Sequence, residues 1–132
     1  MDYSALDAKK LDEYAARARA AWGDTPEYRE FERRTAGRAP AEMAAVSEQM
    51  MAIFAEFGAL RGGSPASEEA RRLVVRLQDF ITAHFYTCSD AVLAGLGQMY
   101  AAGGEMTASI DRYGGDGTAA FAAEAIRAHC AR

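Results

Sequence analysis

The 132-residue chain has little cysteine, with Cys88 and Cys130 as its two thiols. Two are too few for the disulfide framework of a small secreted domain. No apolar run approaches the eighteen or so residues of a membrane span. The start reads MDYSALD, polar and acidic, without the basic segment and apolar core of a secretion signal. The expectation is a cytoplasmic protein with reduced thiols. An excess of positive charge is also missing. The net charge of −4 leaves the chain as a whole no footprint for nucleic acid or an anionic membrane. Convincing apolar–polar alternation is absent, which argues against strands. Sustained heptads are absent too, which argues against a coiled coil.

What is present is helical spacing. The length fits one domain, 1–132, and folding at that size buries roughly two-thirds of the surface of the unfolded chain. A first run places Leu11, Tyr14, Ala15, Ala18 and Trp22 on one face and stops at Gly23. Thr25-Pro26-Glu27 reads as a fresh start, with a cap, a proline at the first helical position and an acid in the first turn. That short helix carries Tyr28 and Phe31 and fades by Gly37. Pro40 opens a third helix lined by Met43, Val46, Met50, Ile53, Phe54 and Phe57, closed by Gly58 to Gly63. Ser64-Pro65 starts a fourth, with Leu73, Leu77, Phe80, Ile81 and His84 as its buried stripe. Ser89 caps a fifth, which carries Val92, Leu93, Leu96, Met99 and Tyr100. A sixth holds Met106, Ile110 and Tyr113, and a last one holds Phe121, Ala125, Ile126 and His129. The fold class is all-α: a compact, irregular, globin-like bundle of about seven helices. The part up to about residue 37 is short, Ala-rich and charged, and is expected to be mobile.

Cys88 sits in HFYTCSD, residues 84–90. A helix starting at Ser89 would put the thiol at a helix N-terminus, where unpaired N–H groups favour the thiolate. The alternative is a buried thiol acting as a small hydrophobe. The residues alone leave both open. His84, Cys88, His129 and Cys130 do not suggest a metal site, because adjacent His129 and Cys130 point about 100° apart on a helix. No acid–base pair falls at a recognisable spacing, so no enzyme, metal or cofactor is expected. Met43, Met50, Met51, Met99 and Met106 are either ordinary core or an adaptable lining for a large apolar ligand. Gly95 and Gly97 inside a helix cost roughly 1 kcal/mol each relative to Ala, which implies close helix approach or room for a ligand.

The blocks WGDTPEY (22–28), Arg33-Arg34-Thr35-Ala36, FYTCSDAVLAGLGQMY (85–100) and DRYGG (111–115) together resemble the thiostrepton-recognition (TipAS) domain. That domain is the effector-binding module of certain MerR-type transcriptional regulators. The resemblance spans nearly the whole chain. It implies a deep apolar cleft that binds bulky drugs, thiopeptide antibiotics above all. It also implies that Cys88, in the F-Y-x-C position, can add to a dehydroalanine of the ligand. The ligand-binding residues expected are Trp22, Tyr28, His84, Phe85, Cys88, Leu96, Met99 and Tyr113. DNA would be contacted only through a separate helix-turn-helix domain that this chain lacks. One departure stands out: Ala101-Ala102-Gly103-Gly104-Glu105-Met106 replaces the family's acid, base and Phe, which should loosen that wall of the cleft. Two other readings stay open: a drug-sequestering resistance protein and a thiol redox sensor with a depressed Cys88 pKa.

Overall fold

A computed structural model describes residues 25–131. Among them lie six α-helices and no strand: α1 Pro26–Thr35, α2 Pro40–Ala59, α3 Glu68–His84, α4 Asp90–Tyr100, α5 Glu105–Gly114 and α6 Thr118–Cys130. The helix expected before Gly23, with Trp22, lies outside the described residues.

Local chemistry sets most of the boundaries. Thr25 Oγ1 accepts from Tyr28 N at 3.2 Å, with Pro26 in the first turn of α1. Ser89 Oγ accepts from Val92 N at 3.2 Å at the head of α4. Both remove an orphan donor that a helix start would otherwise leave. α3 begins later than the sequence suggests. Ser64 Oγ and its carbonyl are used in a turn, accepting from Ala66 N and Ser67 N at 3.1 Å each. Ser67 is the true cap, its Oγ accepting from Ala70 N at 3.2 Å. α6 starts from Gly117, whose φ of 91° excludes most side chains and which has none to cap with. Asp111 Oδ1 supplies the missing acceptor, taking the Ala119 N–H at 2.9 Å. That is the structural work of the Asp in DRYGG.

The core forms where α2, α3, α4, α5 and α6 converge. Phe54, Phe57, Leu77, Leu93, Ile110 and Ile126 are its largest fully buried apolar side chains. Phe54 meets the Tyr100 ring edge-on at 5.1 Å between centroids. α2 enters this core through its second half only; Met43, Val46 and Met50 are half-buried. Where α2 crosses α5 the backbones touch. A Cβ on Gly58 would stand 2.3 Å from the Gly114 carbonyl oxygen. Two residues expected in the buried stripe of α3 leave it. Phe80 and His84 are half-buried and stack on each other at 4.3 Å. Ile81 still reaches the core, while Phe80 and His84 lie at its edge, because 3.6 residues per turn do not keep an i, i+3, i+4 row on one line.

Candidate ligand-binding groove

α4 has two apolar faces. Leu93, Gly97 and Tyr100 point into the core. Val92, Leu96 and Met99, on the neighbouring row, remain outside it, together with Ala91 and Gly95. Opposite stands α1 with Tyr28 and Phe31. Between the two, with Tyr86 from the α3–α4 connection, lies a largely apolar groove of about 430 Å³. Thr25 and Glu27 complete its lining. The two interior glycines of α4 divide the expected roles. A Cβ on Gly97 would press on Ile126 Cγ2 at 3.1 Å, so that glycine lets α4 approach α6. A Cβ on Gly95 would meet nothing within 4 Å, so that glycine leaves room in the groove.

The α1 wall is fixed by side chains. Glu30 Oε1 accepts from Thr87 N at 2.9 Å, and its Oε2 accepts from Thr87 Oγ1 at 3.2 Å. Arg34 pairs with Glu30 at 2.8 Å and donates to the Thr82 carbonyl. The Thr87 N–H, foremost among these partners, holds the Glu30 carboxyl below its usual range. A run of rings continues the attachment, Tyr28 to Phe31 at 5.9 Å and Phe31 to Phe85 at 5.8 Å. The connection they grip is itself tied down. Thr82 Oγ1 accepts from Cys88 N at 3.1 Å, and Gln78 Nε2 donates to Cys88 O and Asp90 Oδ1, each at 2.9 Å.

The structure distributes the expected site residues unevenly. Tyr28, Leu96 and Met99 line the groove. Phe85 stands behind Phe31, with the Arg38 guanidinium 5.8 Å from its ring centroid, and is not a lining residue. His84 is engaged with Phe80. Tyr113 is 52% exposed on α5 and does not border the groove. Ala101 to Gly104 form the α4–α5 turn and contribute nothing to the lining, so the departure from the family pattern falls outside this groove. Missed were Phe31, Tyr86, Val92, Gly95 and Glu27. Phe31 lies three residues from Tyr28, and Val92 four before Leu96; that spacing was a usable signal.

Cys88 belongs to the core. It is 5% exposed and packs among the buried apolar side chains, although Tyr86 and Ala91 on either side of it line the groove. The expectation of a lowered thiol pKa is overturned. Burial, then the Asp90 carboxylate and Cys130, push Cys88 up to about 11. The helix starts at Asp90 with Ser89 as cap, so the thiol stands outside the first turn, and burial is the leading cause of the rise. A redox sensor built on a depressed thiol pKa loses its basis. Tyr86 is likewise pushed up to about 12, by burial first and then by Cys88 and Glu27, so its hydroxyl stays protonated.

The chain is similar to the HTH-type transcriptional activator mta of Bacillus subtilis, at 28% identity over 97% of this chain and 51% of that protein. It therefore spans about half the length of that relative. It is also similar to the solved structure of TipAS in complex with nosiheptide, from a thiopeptide antibiotic multidrug resistance system of Streptomyces lividans. The TM-score is 0.81 at 28% identity, covering 92% of this chain and 85% of that one. Residues 14–129 match the family model of the TipAS antibiotic-recognition domain, and the chain belongs to that family.

Proposed function

We propose that this chain is the ligand-sensing part of a MerR-type transcriptional regulator, and that its groove takes bulky, largely apolar antibiotics such as thiopeptides. The observation that carries the reading is the apolar groove of about 430 Å³ between α1 and α4, a volume suited to a drug-sized group. Its two walls differ in origin, one rooted in the core and one held by side chains. A ligand seated between them gains contact with both and so favours the arrangement in which α1 is docked. Tyr28, Phe31, Tyr86, Leu96 and Met99 supply the contact surface, and Phe85 supports it from behind. The thioether of Met99, 39% exposed, can adjust to different guests. With its thiol protonated and covered, Cys88 supports reversible binding; addition to a dehydroalanine would need the 85–89 connection to open first.

Calorimetric titration with nosiheptide tests the proposal. Saturable one-to-one binding is expected, and Gly95→Trp, which fills the groove from the α4 side, abolishes it while helicity is kept. Absence of binding by nosiheptide and by other bulky apolar antibiotics would overturn the reading. Equal binding by Gly95→Trp would move the site elsewhere.

A further inference from the structure

The groove is apolar but not featureless. Its lining carries one carboxylate, Glu27, and no basic side chain among the described residues. Glu27 is half-buried and makes no ion pair among the described residues, whereas Glu30, one turn on, is bonded to Thr87 and Arg34. The same lining carries three rings, Tyr28, Phe31 and Tyr86. Leu96 and Met99, on α4 across the groove, are aliphatic. Ring faces carry negative electrostatic potential and attract cations within about 6 Å. A cation seated in the groove would meet both a carboxylate and ring faces. Tyr86 is a neutral hydroxyl at any physiological pH and adds no competing charge.

Resting on the groove reading above, we infer that this site selects apolar ligands bearing a permanent or protonated cationic centre, with Glu27 as counter-ion and Tyr28, Phe31 and Tyr86 as an aromatic enclosure around the charge. The apolar body lies against Leu96 and Met99. The geometry thus ranks guests by charge as well as by size. Glu27 also sits in the first turn of α1, where an acid is favoured by the helix dipole. That role asks for a negative charge near the backbone; it gives no reason for three rings in the same groove.

Two near-isosteric probes of opposite charge decide the matter: tetraphenylphosphonium and tetraphenylborate, with neutral triphenylphosphine oxide as reference. Binding is measured by calorimetry on the full chain. Tetraphenylphosphonium is expected to bind at least about tenfold more tightly than tetraphenylborate. Glu27→Gln should narrow that ratio to about threefold or less. Glu48→Gln removes the same charge from an exposed position on α2 outside the groove and should leave the ratio unchanged. Glu27→Asp, which keeps the charge, should keep the cation preference, so a loss caused by helix damage is told apart from a loss of charge. Equal or inverted affinities, or a preference that survives Glu27→Gln, would overturn the inference. The groove reading would then still stand if triphenylphosphine oxide binds and Gly95→Trp blocks it. If none of the three probes binds and nosiheptide does not either, the groove reading falls and takes this inference with it.

Discussion

The two walls of the groove are both short helices, yet they are held by different physics. α4 is anchored by Leu93 and Tyr100, buried on the core side, and by Gly97 against Ile126. Burying such side chains contributes roughly 1.5–3 kcal/mol each. α1 buries only Tyr28. Its grip comes from the Glu30–Thr87 and Arg34–Thr82 bonds and from rings at the surface of the body. Exposed ion pairs and partly exposed hydrogen bonds contribute little each. One wall should therefore share the stability of the whole domain, and the other should open at much lower free energy. A site with one fixed and one adjustable wall accommodates guests of different shape without unfolding the core.

Truncation on the two sides should show the largest contrast. Leu93 is fully buried, so Leu93→Ala should cost about 2–5 kcal/mol of global stability, read as a lowered urea midpoint. Phe31→Ala should leave that midpoint nearly unchanged and instead speed amide exchange across 26–35. Equal global losses would show that α1 belongs to the same cooperative unit as α4.

The glycine pair sharpens the contrast within α4 itself. Gly95→Ala adds a methyl into open space and should stabilise by about 0.5–1 kcal/mol, through the helix preference of alanine. Gly97→Ala meets Ile126, which is 1% exposed and cannot retreat, so it should lower the melting temperature. Stabilisation by both would mean that α4 and α6 are less tightly packed than the structure shows.

Acid should release the α1 wall first. The Glu30 carboxyl titrates below its usual 4.5 in the folded chain. Its contribution is in place above that value and is lost as pH falls through the lower folded one. Amide exchange in 26–35 should rise in that window before helicity declines elsewhere. Thr87→Val, which removes one of the two bonds to Glu30, should shift the release to higher pH. No change would assign the docking of α1 to its rings alone.

The smallest effect concerns the thiols. Cys88 shifts from 9.0 to about 11 on folding. Between those values the unfolded chain gives up its proton first, so stability falls as pH rises. Iodoacetamide labelling followed by mass spectrometry should find Cys88 slower than the half-buried Cys130 at pH 8. A faster Cys88 would reopen the thiolate reading and the covalent route with it.

Much of the organisation was legible in the chain, because it rests on interactions between residues three or four apart. Thr25 with Pro26 marked the head of α1, and Ser89 marked that of α4, since a cap is satisfied inside its own first turn. The start of α3 was not legible. Ser64 and Ser67 are both competent caps, and the turn at 64–67 decides between them. Leu96 and Met99 were found on a helical row, but Phe85 was named where Tyr86 lines the groove. That pair stands past the end of α3, where periodicity no longer tells which side chain turns inward.

The sequence by itself determined an all-helical domain, the position of most helix ends and the family to which the chain belongs. These follow from short-range periodicity, caps and motif order. Tertiary structure alone decided that Gly97 faces a neighbouring helix and Gly95 an open groove, that Cys88 is core, and that Glu27 shares the groove with three rings. Each of these depends on which distant helix arrives against a given face. That is fixed by how the helices dock on one another, and no local pattern encodes it.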